Sequence, residues 1–305
     1  MSTAPGRIRI DIAYDGGRFH GWAAQPGLRT VQGTLEEAVA RLLRVPQAAA
    51  PRLTVAGRTD AGVHATGQVA HLDLTGEEWG ALAGSHAGRA RTLAARSAPE
   101  PPPGPDAVDI ACRRINGALR ADDVRVLGGR IAPDGFDARF SALWRRYLYR
   151  VADGAGAHDP LERHRTLWHP TRLDVSLMDR AARQLGGLHD FAAYCKPRPG
   201  STTIRELQDF RWRRAPDGVL EARVRADAFC HGMVRALVGA CIAVGCGRLE
   251  PHDPLGLRNA GRRTSAFAVA PAHGLTLVEV GYPDEDELAE RARQTRALRT
   301  LTRPD

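Results

Sequence analysis

The sequence predicts an α+β protein of about two domains, and three observations carry that prediction. The chain has 305 residues, about twice the ~150 residues of a typical domain. Its composition, 43% hydrophobic and 26% charged, is that of proteins with a packed core rather than of disordered or fibrous chains. Strand-like alternation and helix-like spacing of apolar residues succeed one another in both halves, as in α+β proteins.

In the first half, the apolar pattern predicts four strands and two helices. Residues 7–14 alternate apolar and other side chains, as a half-buried strand does. Thr30 is the predicted N-cap of a helix that ends near Leu43. The remaining elements are strands at 53–56, 68–74 and 123–127 and a helix at 111–119.

Residues 80–106 interrupt this pattern. They are rich in alanine, glycine, proline and arginine and include the run PEPPPGP. Prolines do not continue a helix, and this composition does not build a packed core. We therefore predict a flexible insertion within the first domain.

The second half repeats the mixture of strands and helices. Strands are predicted at 144–151, 206–213, 220–227 and 276–282, and helices at 176–185 and 233–245. The last of these helices has the strongest apolar stripe in the chain. We place a first domain at residues 7–134, a second at 135–283 and a charged tail at 284–305.

The charge balance favours a polyanionic partner. The chain has 43 basic and 35 acidic residues, a net charge of +8, and Lys196 is its single lysine. Nucleic acid is the first candidate partner and an anionic membrane surface the second. The longest apolar stretch, 236–246, is far shorter than the ~20 residues of a membrane span, and the N-terminal residues do not resemble a secretory signal. We expect a cytoplasmic protein with no membrane partner.

Five scattered cysteines, without a CxxC pair, predict neither a disulfide framework nor a zinc site. The sequence contains neither a dinucleotide-binding glycine motif nor a phosphate-binding loop. We therefore expect no cofactor. Cys230 and His231 are neighbours, but adjacent residues on a strand point to opposite faces. We therefore expect a structural role for this pair.

The densest group of polar residues is the loop GRTDAGVHA, which follows the strand at 53–56. Its glycines permit positive φ angles and a close approach of another molecule. Arg58 precedes Asp60 by two residues, so both side chains share one face if the segment is extended. An arginine beside a carboxylate lowers its pKa, which suits an ionised nucleophile. The alternative is a structural turn in which Asp60 accepts backbone hydrogen bonds.

The loop GRTDAGVHA resembles the signature of the TruA-type tRNA pseudouridine synthases. Other motifs resemble the same family in the same order, so that the resemblance covers residues 8–283. They are YDG at 14–16, FHGW at 19–22, TVQGTLE at 30–36, FDARFSA at 136–142, RRY at 145–147, MVR at 233–235 and YP at 282–283.

This resemblance implies a fold and an activity. The fold has two RNA-recognition-motif-like (RRM-like) domains whose antiparallel sheets join around a central basic cleft. The activity is the isomerisation of uridine to pseudouridine at positions 38, 39 and 40, in the anticodon stem-loop of tRNA, after the base has flipped out. The implied assembly is a homodimer that binds tRNA and not DNA, without a metal or other cofactor.

The resemblance also implies roles for four residues. Asp60 matches the nucleophile, and Arg58 matches the arginine that pairs with it and helps hold the flipped-out nucleotide. Tyr147 matches the aromatic residue that packs against the target uracil, and Arg235 a basic residue near the active-site cleft. Nucleophilic attack at C1′, formation of a glycal and attack at uracil C6 remain open as chemical routes.

Two other functions fit the residues. A hydrolase would cleave the N-glycosidic bond and release free base, but such enzymes commonly use a second carboxylate, and none is close to Asp60 in sequence. A non-catalytic RNA-binding protein would use the basic surface alone. Free uracil after incubation with tRNA would indicate the first, and binding without any change in the RNA the second.

Overall fold

The computed structural model describes residues 6–84, 105–196 and 202–296, and these ranges form a mixed α+β molecule around one ten-stranded sheet. The predicted α+β class is confirmed. The strands are β1 (Gly6–Tyr14), β2 (Thr54–Val55), β3 (His64–Leu74), β4 (Val124–Ile131), β5 (Trp144–Ala152), β6 (Leu167–Trp168), β7 (Gly187–Asp190), β8 (Ile204–Arg214), β9 (Leu220–Ala226) and β10 (Leu275–Gly281).

Seven helices accompany the sheet within the described residues. They are α1 (Val31–Leu43), α2 (Gly76–Ala83), α3 (Pro105–Ala118), α4 (Val175–Arg183), α5 (Met233–Gly245), α6 (Asp253–Ala260) and α7 (Leu288–Arg296). None of the helices in these ranges is both long and apolar enough to span a membrane.

The two halves of the chain share the sheet. Its strand order is β4-β1-β3-β10-β5-β9-β8-β7, with β2 beside β3 and β6 beside β5. Neighbours along the main order are antiparallel except β3 and β10, which pair in parallel. The halves therefore meet at a continuous row of strands, and the division at residues 134 and 135 stays a prediction.

Local patterns account for the elements that support the sheet. In β1, Ile8, Ile10 and Ile12 are buried, because alternate side chains of a strand point to one face. The Thr30 side chain accepts a hydrogen bond from the amide of Gly33 and caps α1, as predicted.

Helix α5 has the predicted bounds, but it is buried on almost every side. A helix that packs inside a protein needs apolar residues all round rather than one stripe. Arg235 is its single charged residue, and it is half-buried at the N-terminal end. Helix α5 thus carries one cation, Arg235, at the end of the helix that faces the first half of the chain.

The prediction of an insertion starting at residue 80 is wrong at its beginning. Residues 80–83 belong to α2. A capping box starts this helix, in which the Thr75 side chain accepts from the Glu78 amide and the Glu78 side chain accepts from the Thr75 amide. Leu82 of this helix is fully buried, so a tertiary contact stabilises a segment whose composition indicated a loop. At the other end Pro105 begins α3, and residues 85–104 lie outside the described residues.

Strand β3 begins at His64, four residues before the predicted start. His64 and Ala65 pair with Thr276 and Leu277 of β10, a partner that local sequence does not reveal. The early start shortens the loop between β2 and β3 and holds both of its ends in the sheet.

Candidate active site

The loop that carries Asp60 is held by hydrogen bonds on both sides. The hydroxyl of Tyr14 lies 2.8 Å from that of Thr59, and the Gln68 amide donates to the carbonyl of Gly57 at 2.9 Å. The amide of Trp22 donates to the carbonyl of Thr59 at 3.1 Å. Thr59 is buried, but 29% of the Asp60 side chain is exposed. The loop therefore presents one carboxylate from a fixed backbone.

The segment FHGW forms the wall behind this loop. Gly21 has a φ of +89°, and a Cβ there would lie 2.9 Å from the carbonyl oxygen of Thr59. Only glycine combines that backbone angle with so close an approach. The motif at 19–22 thus supports the loop and does not itself enter the site.

Asp60 faces two basic side chains from the second half. Its Oδ2 lies 3.8 Å from Nη1 of Arg235, and its Oδ1 lies 3.6 Å from Nε2 of His231. Both distances exceed hydrogen-bond length, and the contact with Arg235 is an ion pair. Arg235 is oriented by a hydrogen bond from Nε to the carbonyl of Ala270 at 2.7 Å. The fold thus brings together a carboxylate and a guanidinium that are far apart in sequence.

Arg58 is exposed and forms no ion pair with Asp60 or any other described residue within 4.0 Å. The segment turns at Asp60, whose carbonyl accepts from the amide of Val63 at 3.2 Å, and Gly62 has a φ of +78°. Because of this turn, the expected same-face pairing of Arg58 and Asp60 is not formed. The exposed guanidinium is available to a bound molecule.

Tyr147 lies on β5 and is buried. Its ring meets that of Phe229 edge-on, with 5.2 Å between the centroids. Burial, and then the charges of Tyr14 and Asp60, raise the pKa of the Tyr147 hydroxyl well above its ordinary value. The phenol therefore stays protonated, so it can donate a hydrogen bond but does not act as a base near neutral pH.

Arg145 connects the loop to the second half from inside the protein. Its guanidinium donates to the carbonyls of Ala56, Arg139 and Asp227 at 2.6, 2.7 and 2.7 Å. Burial lowers the pKa of Arg145 from its ordinary value. The motif RRY thus contains a positioning residue that the sequence analysis did not assign.

His64 is a supporting residue. Its Nδ1 accepts from the amide of Gly16, and its Nε2 lies 3.0 Å from the carbonyl of His273. A neutral ring with its proton on Nε2 makes both bonds. Oδ1 of Asp15 lies 3.0 Å from the same Nδ1.

The sequence predicted no disulfide framework, and it did not identify the one pair in the described residues, Cys195 and Cys230. The structure joins them as a disulfide, with 5.8 Å between their Cα atoms, a separation typical of such bonds. Lys196, the next residue, donates its amide to the carbonyl of His231 at 2.9 Å. Sequence spacing could not show this pairing, because packing of the segment after β7 against the segment after β9 creates it.

His231 is the residue that the sequence analysis missed. The expected strand ends at Ala226, and the chain then turns through Gly232, which has a φ of +77°. This turn aims the imidazole at Asp60, so the argument from opposite strand faces did not apply. The one feature of the sequence that could have indicated a role for His231 is its position two residues before the motif MVR.

Asp60 lies in a pocket of about 150 Å³. Among its described lining residues, Asp60 supplies the one carboxylate, and Lys196, Arg235 and Arg263 supply cations beside His231. Within the described ranges, no group of three or more histidine, cysteine or acidic side chains is placed to hold a metal ion. The arrangement suits an anionic ligand that meets one ionised carboxylate.

A larger cavity of about 440 Å³ lies beside Tyr14 and His64, away from Asp60. Its lining includes the carboxylates of Asp15, Asp122 and Asp123 beside Arg125 and Arg165. We assign the chemistry to the smaller pocket, because it contains Asp60 and its three cations outnumber its one carboxylate.

Comparisons with known proteins identify the family of this chain. Residues 181–283 match a family model described as tRNA pseudouridine synthase. A tRNA pseudouridine synthase A of Leifsonia xyli is 59% identical over 99% of this chain and 100% of its own length. Proteins of the same name from Frankia casuarinae and Streptomyces avermitilis are 51% and 50% identical, over 98% and 97% of this chain and 97% and 94% of their own lengths.

Proposed function

Because this chain belongs to the tRNA pseudouridine synthase A family, and is thus an isomerase of uridine in tRNA, we propose that Asp60 is its nucleophile. The observation that carries the proposal is the placement of Asp60 in the pocket. It is partly exposed on a fixed loop and faces Arg235 and His231. A nucleophilic carboxylate must be accessible to its substrate, and the partial exposure of Asp60 in the pocket provides that.

The reaction needs one carboxylate and no external reagent. In the route through C1′, an oxygen of Asp60 bonds to C1′ as the C1′–N1 bond breaks and the uracil leaves with the bonding electrons. The uracil then turns, its C5 attacks C1′ and the carboxylate is released; C5 loses its proton to solvent and N1 takes up a proton, so that atoms and charge balance. In glycal formation the carboxylate takes a proton from C2′, and in the third route it attacks C6 of the uracil, so all three routes require Asp60.

The target uridine must leave its stack, which costs a few kcal/mol. The resemblance assigns Tyr147 the contact with the flipped uracil, and an aromatic contact with a base is worth ~1–3 kcal/mol. In the structure the Tyr147 ring is buried and does not line the pocket of Asp60, so this contact requires the base to reach past the pocket or the ring to become exposed. Arg58 is exposed at the loop and holds the flipped nucleotide, while Arg235 compensates the charge of Asp60. The family resemblance supports these roles.

The proposed targets are uridines 38, 39 and 40 in the anticodon stem-loop, and the proposed active form is a homodimer in which one tRNA contacts both subunits. The resemblance supports both proposals, and the net charge of +8 favours the polyanionic substrate. We place the reaction in the cytoplasm on the same basis.

Tritium release tests the nucleophile. With tRNA labelled at C5 of uridine, we expect Asp60→Ala to abolish tritium release while its tRNA affinity stays within a few-fold of the unmodified protein. The mechanism gives the reason, because the substitution removes the reacting group and leaves the arginine-rich surface intact. An Asp60→Ala protein with full activity would falsify the assignment.

Two further measurements separate the other functions and define the targets. Free uracil among the products would indicate a hydrolase, and binding without isomerisation an RNA-binding protein. Carbodiimide treatment of tRNA from cells lacking this gene, followed by primer extension, maps the lost pseudouridines. Stops that persist at positions 38 to 40 in those cells would overturn the proposed targets.

A further inference from the structure

The single lysine of the chain lies at the pocket that contains Asp60. The sequence has 43 basic residues, and all of them except Lys196 are arginine. Arginine thus supplies the positive charge of the remaining surface, so Lys196 is not needed for the overall charge. Lysine differs from arginine in its compact ammonium group, which binds phosphate as a point charge rather than as a planar fork.

The backbone of Lys196 is fixed against the loop that carries His231. The Lys196 amide donates to the carbonyl of His231 at 2.9 Å, and the preceding residue, Cys195, is joined to Cys230. Tyr194 donates its hydroxyl to the carbonyl of Pro254 at 2.7 Å. The lysine therefore projects from a well-anchored edge of the pocket.

Two cations of the pocket lack an acidic partner among the described residues. Arg235 faces Asp60, but Lys196 and Arg263 form no ion pair within 4.0 Å in those ranges, and both are exposed. Unpaired cations beside an ionised carboxylate leave the rim positive. A ligand that completes this rim must therefore bring negative charge.

We propose that Lys196 and Arg263 bind the backbone phosphates next to the uridine that enters the pocket. This inference rests on the proposed function and adds to it a phosphodiester subsite at the rim. A nucleotide whose base enters a pocket of about 150 Å³ leaves its phosphates outside, at the level of these side chains. Asp60 then meets the sugar, while the rim holds the strand.

Kinetics on tRNA tests the subsite. We expect Lys196→Met and Arg263→Met each to raise KM about tenfold, the loss of one charged hydrogen bond, with kcat changed less than twofold. The slope of log KM against log salt should fall by ~0.7–0.9 for each lost contact. Lys196→Arg keeps the charge and should keep the slope.

Arg180→Met is the matched control, because Arg180 is an exposed arginine on α4 outside the pocket. If Lys196→Met and Arg263→Met have the KM and slope of Arg180→Met, the subsite does not exist. That result leaves the proposed function intact provided that the unmodified protein releases tritium. Absence of release by the unmodified protein overturns the proposed function instead.

An amine footprint tests the same contact without changing Lys196. An acetylating reagent reacts with Lys196 and the N-terminal amine alone, since the chain has no other lysine. In Asp60→Asn protein saturated with tRNA, we expect at least fivefold slower acetylation of Lys196, with the N-terminal amine as internal reference. Equal rates for Lys196 with and without bound tRNA would overturn the proposal.

Discussion

At the scale of single residues, the surroundings of Asp60 come from segments that are distant in sequence. Its loop follows β2, Arg235 belongs to α5, and His231 lies in the turn before that helix. The two basic side chains lie 3.6 and 3.8 Å from the carboxylate oxygens, and the charge of Arg235 interacts strongly with Asp60 where water is partly excluded. The other half of the chain thus supplies the groups that face Asp60.

We expect His231→Ala to lower kcat about tenfold with little change in KM, the effect of ~1.4 kcal/mol on the transition state. The imidazole touches Asp60 at 3.6 Å, so its loss affects the reacting carboxylate. Single-turnover and steady-state rates on tRNA measure the effect.

His252→Ala is the control for His231→Ala. His252 also lies 3.6 Å from a carboxylate, that of Asp253, but it is 77% exposed on the surface. If both variants have unchanged kcat, His231 has no part in the reaction.

At the scale of elements, strand β5 contains both Arg145, which positions the loop of Asp60, and Tyr147, which is proposed to contact the uracil. Arg145, Tyr147 and Tyr149 are buried on one of its faces, whereas Arg146 lies on the other. Alternation along the strand therefore places the guanidinium of Arg145 and the ring of Tyr147 on the same face. Arg145 alone reaches carbonyls on three separate segments.

We expect Arg145→Met to reduce the free energy of unfolding by ~3 kcal/mol, because it removes three hydrogen bonds to carbonyls, two of them buried. Urea unfolding measures the change, and the exposed loop of Asp60 should also become more susceptible to proteolysis. Arg146→Met, at the neighbouring position with a partly exposed pair to Glu279, should cost less than ~1 kcal/mol. Equal losses for the two variants would contradict the bridging role.

At the scale of the whole molecule, the two halves are joined by strand β10 and by contacts of β3 with the segment between β4 and β5. Strand β10 lies between β3 and β5, and only Thr276 and Leu277 pair with β3. His71 of β3 accepts a hydrogen bond on Nδ1 from the amide of Ala138 at 3.0 Å. The junction thus includes a buried imidazole that must stay neutral.

This imidazole predicts a loss of stability in mild acid. Burial, and then the charge of Arg7, lower the pKa of His71 from 6.5 to about 4. Between these values the unfolded chain binds the extra proton, so the contribution of His71 is complete above pH 6.5 and is lost as the pH falls toward 4. The upper limit of the loss is ~3 kcal/mol.

Urea unfolding at neutral pH and near the lower pKa measures the loss, with His71→Asn as the comparison. Asparagine offers the Ala138 amide an acceptor but does not titrate. The difference in stability between the two pH values should be smaller in the variant. An unchanged difference would assign the acid sensitivity to other groups.

The sequence alone determined the α+β class, the bounds of α1 and α5, and the choice of the loop around Asp60. These depend on residues close together in the chain, such as the Thr30 cap and the alternation in β1. The resemblance extended that choice to Arg58, Tyr147 and Arg235, whose roles stay predictions.

Only the tertiary structure decided which groups surround Asp60 and what stabilises the sheet junction. It brought His231 and Arg235 to the carboxylate, joined Cys195 to Cys230, and extended β3 to His64. The physical reason is common to these cases. Each depends on a distance between segments that are separated by many residues, and the packing of strands in one sheet sets that distance while local patterns do not.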